Sequence, residues 1–125
     1  MLCRRFFLAG LVCKLTTVVG ISVAAPSAHE QSRIDRLIRY VETQKSITFI
    51  RNGAEYGCAE AARFLRSKMD TMGADVTSAR DFIDRVATRS STTGRPYQVK
   101  LSDGRVVTAA EFLTDELRRL DARQV

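Results

Sequence analysis

Four places in the sequence carry residue types that could do chemistry. The first is the hydroxyl-rich run Ser90-Ser91-Thr92-Thr93-Gly94, followed by Arg95-Pro96-Tyr97. A serine nucleophile needs a base to activate it, and Ser90 or Ser91 with Lys100 is the available pairing. The same hydroxyls equally suit a helix end and a loop, where they satisfy stray carbonyls and amides. The second is a set of carboxylates: Asp81 and Asp84, three apart, and Glu55 and Asp70, far apart along one segment. A glycosidase-like hydrolase needs two of these across a cleft, whereas Asp81 and Asp84 also match the opening turns of a helix. The third is Cys58, a redox candidate whose place in an apolar stripe reads more simply as a core thiol. The fourth is Arg51-Asn52-Gly53, where a tight turn could present the guanidinium to an anionic partner or to an acid within the domain. Arg51, Asn52, Tyr56, Ser90, Ser91, Arg95 and Tyr97 together make a candidate polar and aromatic binding surface.

Several mechanisms are excluded. His29 is the single histidine and stands at the edge of the N-terminal segment. A Ser-His-Asp or Cys-His device within the domain is therefore not expected, nor is a zinc site. No glycine loop has the setting of a phosphate cradle, and Asp103-Gly104 is too short for a calcium loop. No catalytic residue, cofactor or metal is expected. The first reading is a non-enzymatic binding or interaction module. The alternatives are a small hydrolase using carboxylates or a serine of the 90–94 loop, and a redox-linked role through Cys58.

The elements that would position these residues follow from periodicity. Ser32 reads as an N-cap, and Ile34, Leu37, Ile38 and Val41 recur at helical spacing to about Thr43. Ser46–Ile50 is a short strand or an extended connection. Asn52-Gly53 is a turn signal. Glu55–Met72 reads as one long helix with Cys58, Ala61, Ala62, Leu65, Met69 and Met72 on its face, closed by Gly73 as a left-handed cap. Thr77 or Ser78 caps a third helix bearing Phe82, Ile83, Val86 and Ala87. Tyr97, Val99 and Leu101 alternate with polar residues as in a half-buried strand. A two-residue turn at Asp103-Gly104 then sets Leu101 opposite Val106 and Lys100 opposite Val107. Thr108 and Glu111 form a capping box for the last helix, with Phe112, Leu113, Leu117 and Leu120 and a frayed end from Asp121. The fold expected is α+β and mainly helical, about four helices packed with a β-hairpin, to which Ser46–Ile50 could add a third short strand.

The N-terminus has the plan of a secretory signal peptide: Arg4-Arg5, apolar runs split by Lys14, then small residues to Ala28. Cleavage after Ala24 has Ser22 and Ala24 in the key positions; cleavage after Ala28 puts Pro26 near the cut. The expected organisation is a leader over 1–28 and one small domain over 29–125, periplasmic or secreted. Cys3 and Cys13 leave with the leader, so no internal disulfide is expected. Without Arg4, Arg5 and Lys14, seventeen basic residues face fourteen acidic ones, a mixed surface unlike a nucleic-acid footprint. The expected partner is a periplasmic protein or an envelope component, with no nucleic acid and with membrane contact only through the leader during export.

Phe49-Ile50-Arg51-Asn52-Gly53, Tyr56, Ala61 to Lys68, Phe82-Ile83, Val86-Ala87, Ser90-Ser91, Gly94, Pro96-Tyr97 and Asp103-Gly104, in that order, give a fairly specific pattern over about residues 32–120. It resembles a family of small exported bacterial proteins known only as a domain of unknown function. The resemblance implies export and a consistent fold, and no activity. The family pattern often has His where this chain has Phe64 and Trp where it has Phe112, so no role of that His transfers.

Overall fold

The computed structural model describes residues 25–123; the first 24 residues of the expected leader, Cys3 and Cys13 among them, lie outside these. The first helix, α1 (Ala28–Thr43), begins one turn before the expected start. Ser27 is its N-cap and accepts from the Glu30 amide at 3.2 Å. The turn Ala28–Gln31 holds no large apolar residue, so a hydrophobic stripe cannot reveal it. Ile34, Leu37, Ile38 and Val41 are buried as the spacing predicts.

The strands are β1 (Thr48–Arg51), β2 (Ala54–Tyr56), β3 (Gln98–Lys100) and β4 (Val106–Thr108), antiparallel in the order β2-β1-β3-β4. Asn52 and Gly53 both take positive φ, 53° and 82°, the requirement of a type I′ hairpin. That turn sends the chain back along β1, so Glu55 and Tyr56 lie in a strand, and the second helix, α2 (Cys58–Met72), starts only after Gly57. The long helix expected from Glu55 is thus corrected at its front. Its end is corrected too. Gly73 caps it at φ −90°, outside the left-handed region; glycine is needed there because a Cβ would collide with the Met69 carbonyl oxygen and thioether. Met72, at the last turn, is 49% exposed instead of packed.

The second hairpin differs from expectation by one residue. Lys100 faces Val106 and Val99 faces Val107. The Leu101 amide bonds to Arg105 O at 2.7 Å, which leaves Ser102-Asp103-Gly104 as a three-residue loop ending in Gly104 at φ 91°, the bulged form of hairpin. A slip of one residue exchanges faces: Val107 turns inward and Val106 is 48% exposed.

Residues paired across the sheet share a face, so Tyr56, Phe49, Val99 and Val107 form one row on the helix side. Against this side pack α2 and the last helix, α4 (Ala109–Arg123). The core continues through α1 and a short third helix, α3 (Ala79–Asp81). The Ser78 hydroxyl caps α3, accepting from the Asp81 amide. α3 opens directly into a π-helical turn, Phe82–Val86, closed by Ala87 N–H to Phe82 O at 3.1 Å. The wider turn buries Phe82, Ile83, Val86 and Ala87 completely, with no exposed surface on any of them. Half of the expected capping box forms at α4: the Thr108 hydroxyl accepts from the Glu111 amide, while the Glu111 carboxylate accepts from that hydroxyl instead of from the Thr108 backbone N–H. α4 does not fray at Asp121: Arg33 grips that carboxylate at 2.8 Å and Glu30 at 2.7 Å. Glu30 also accepts the Ala79 amide at 2.8 Å, tying the start of α1 to α3 and to the end of α4. The expected α+β, mainly helical architecture is observed; the stretch that could add a third short strand does so as β1, and β2 makes the sheet four-stranded.

Candidate functional site

Strand alternation decides which candidate residues meet. Arg51 lies two residues from Phe49, and Tyr97 two from Val99, so both point to the helix side with Tyr56. There they meet the flank of α2. The Arg51 guanidinium sits 4.4 Å over the Phe64 ring and 5.2 Å over that of Tyr56, and donates to Tyr56 Oη at 3.3 Å. Phe64 stands edge-on to Tyr97, with ring centroids 5.6 Å apart.

These residues edge a cavity of about 390 Å³ between the sheet, α2 and α4. Its walls are Val41, Phe49, Ala61, Phe64, Leu65, Ala87, Ala109, Phe112 and Leu113, while Arg51, Tyr56, Glu60, Arg63, Ser67 and Gln98 supply the polar lining. The volume falls in the range of about 300–1,000 Å³ usual for ligand pockets. Glu60 is the one carboxylate in that lining, and its Oε1 accepts the Gly57 amide at 3.3 Å. Among the described residues no carboxylate lies within ion-pair distance of Arg51.

Behind Tyr97 lies Lys68, 7% exposed. Its Nζ donates to Arg89 O at 2.7 Å and to Tyr97 Oη at 2.8 Å. Burial, and then the charge of Arg51, hold this amine below the ordinary lysine range. Burial pushes the Tyr97 hydroxyl up, against a smaller opposite pull from Arg51.

The remaining candidates belong to a second cluster. Asn52 donates to Ser90 Oγ at 3.3 Å and accepts from Thr93 Oγ1 at 2.6 Å, and the Arg95 guanidinium lies over Gly53. The two loops face each other as a lock. Ser90 is buried, and its Oγ meets the Thr92 hydroxyl and the amides of Thr92 and Thr93. Ser91 is exposed and donates to the Met72 sulfur. Lys100 reaches Glu55 across the outer face of the sheet at 3.4 Å, so the serine–lysine pairing does not form. Asp81 accepts from the Thr77 amide and hydroxyl. Cys58 is a free, buried thiol at the start of α2. Among the described residues, no group of three His, Cys, Asp or Glu could hold a metal, and no helix is long and apolar enough to cross a membrane.

The sequence reading brought Arg51, Tyr56 and Tyr97 to this place and missed Glu60, Phe64 and Lys68. Those three recur at steps of four along α2, a column beside the apolar stripe. Phe64 and Phe112 both line the cavity.

A model of the family of unknown function DUF5329 matches residues 28–121. The chain is 38% identical over 92 residues to the uncharacterized protein YfeK of Salmonella typhimurium, covering 70% of this chain and 74% of that protein. No solved structure matches.

Proposed function

We propose, from the premise that the chain belongs to the DUF5329 family of unknown function, that it is an exported, non-enzymatic binding domain. On this reading the N-terminal leader delivers it to the periplasm or beyond, where it takes a small, largely apolar envelope component into the cavity. One observation carries the reading: a cavity of about 390 Å³ with aliphatic and aromatic walls and a few polar groups at one side. Such a space, beside an arginine held on aromatic faces, is the usual form of a small-molecule site. The binding reading gains further support from the Ser90–Arg95 loop, whose hydroxyls are engaged in holding the Asn52 turn.

A neutral apolar fluorophore, N-phenyl-1-naphthylamine, tests the proposal. It should bind saturably, and Ala61→Phe, which adds a ring to the cavity wall, should weaken binding at least tenfold while leaving the thermal midpoint near that of the parent. No saturable binding, or binding indifferent to Ala61→Phe, would refute it.

A further inference from the structure

The charges beside the cavity are unbalanced in one sense. Arg51 makes one side-chain hydrogen bond among the described residues, to Tyr56 Oη, and otherwise rests on two aromatic rings. Lys68, behind Tyr97, is held by a carbonyl and a phenol, with no carboxylate. Glu60 turns to the backbone of its own helix N-terminus. Arg51 also disfavours the charged form of Lys68, after burial has done so. An anion set against Arg51 would relieve both positions, and a guanidinium fork suits a single carboxylate.

The space behind Arg51 is apolar. Its volume is about thirteen liquid-water volumes at ~30 Å³ each, of the order of a twelve-carbon chain. We infer that the site takes a single-chain anionic amphiphile, a long-chain carboxylate. Its tail lies among Phe49, Leu65 and Phe112 and its head group against the free N–H donors of Arg51. This rests on the cavity being the binding site, and it adds the chemistry of the occupant. Desolvated beside aromatic rings, the guanidinium–carboxylate contact is the charge-assisted kind, and a neutral head group would leave those donors unmatched.

Dodecanoate and 1-dodecanol share a tail and differ in the head. Each is titrated against the purified protein by displacement of N-phenyl-1-naphthylamine. Dodecanoate should bind at least tenfold more tightly than dodecanol. Arg51→Gln should bring the two within about threefold by weakening dodecanoate alone. A measurement on the parent protein covers the case in which that variant does not fold: carboxyl-¹³C dodecanoate, followed by NMR across pH, should titrate lower when bound than when free. Equal affinities for acid and alcohol, or a bound carboxyl titrating at or above its free value, would overturn the inference while leaving the cavity reading intact. Saturable binding of the fluorophore that neither compound displaces would overturn the inference alone. Failure of the fluorophore itself to bind would remove both.

Discussion

Tyr97→Phe removes one oxygen and leaves the ring, so it isolates what the phenol does for Lys68. In the parent the buried ammonium has two hydrogen-bond acceptors, Arg89 O at 2.7 Å and Tyr97 Oη at 2.8 Å, and lies 4.7 Å from the centre of the Tyr97 ring. Deleting the phenol oxygen leaves a buried, charged donor one partner short. Hydrogen bonds to charged groups contribute about 1.5–3 kcal/mol, and orphaning a buried partner costs at least a comparable amount. A loss of about 2 kcal/mol follows, which for a domain of this size lowers the thermal midpoint by about 8–16 °C. The edge-on contact of ring 97 with Phe64 survives the change, so packing should not add to the loss. Lys68→Met supplies the second leg of a double-mutant cycle. With the ammonium gone, Tyr97→Phe orphans nothing charged and should cost less than about 0.5 kcal/mol, a coupling of about 1.5 kcal/mol or more. Urea unfolding of the four proteins at pH 7 measures it. Equal costs of Tyr97→Phe in both backgrounds would refute the pairing. The pH dependence reads a different property of the same amine, its burial beside Arg51. The Lys68 amine titrates below its ordinary 10.5 in the folded chain. Between those two values the unfolded chain holds a proton that the folded chain has released, so stability rises with pH there. Lys68→Met should flatten that rise. The comparison belongs below pH 10, because Tyr97, pushed above its ordinary 10.0, works in the opposite sense only beyond it.

Three other substitutions or products check the remaining parts of the fold. Gly94 sits at φ 75° with nothing within 4 Å of where a Cβ would stand, so Gly94→Val should cost about 1 kcal/mol or more from backbone strain alone; an unchanged thermal midpoint would disprove that origin. The Glu30 carboxyl is held below the usual carboxylate range chiefly by the Ala79 amide, with Arg33 assisting. Its contribution is therefore present above about pH 4.5 and lost as pH falls through the lowered value. The stability gap between the parent and Glu30→Gln should shrink from pH 7 to pH 3 in urea titrations, and a constant gap would count against the contact. If the leader is cut after Ala24, the exported protein begins at Ala25 and keeps Ser27 as the cap of α1, worth about 1 kcal/mol. Intact-mass measurement of the exported chain should show that start; a chain beginning at His29 would contradict it.

Helical faces were readable from spacing because burial enforces the period. Ile34, Leu37, Ile38 and Val41 recur at it and are buried. Backbone events were readable only in part. The Asn-Gly dipeptide announces a reversal, but the identity of the next element depends on whether the returning chain finds a strand to pair with. Ala54–Tyr56 does, against β1, although Ala and Glu are poor strand formers taken alone. The second hairpin shows a related limit. Asp103-Gly104 is compatible with a two-residue loop, and with a three-residue loop in which Gly104 is the bulge. The choice is made by which of Val106 and Val107 gains more by turning inward, and Val107 packs against the cluster of Tyr97, Val99 and Ala109. Gly73 misled for a different reason: a glycine after a helix suggests positive φ, whereas here it admits the Met69 carbonyl.

The site divides along the same line. Arg51, Tyr56 and Tyr97 were nameable because strand alternation sets them on one face whatever the helices do. Asn52, Ser90 and Arg95 were nameable as loop residues, but a sequence does not say whether a loop polar group faces solvent or another loop. Here they face one another, and the exposed-loop surface expected from them becomes a lock between the Asn52 turn and the Ser90–Arg95 loop. Lys68 stayed hidden because a lysine beside an apolar stripe normally reaches solvent. What keeps this one inside is an acceptor pair, Arg89 O and Tyr97 Oη, from segments 21 and 29 residues away in sequence. Phe64 has the same logic: on the flank of its helix it buries little by itself, and only the arrival of Arg51 above it and Tyr97 edge-on makes it the floor beneath a cation. The cavity is therefore a property of the junction between sheet and helix flank. Arg51, Tyr56 and Gln98 bring polarity to it from the strands, and Glu60, Arg63 and Ser67 bring it from α2, so its polar side exists only where the two hairpins meet that helix.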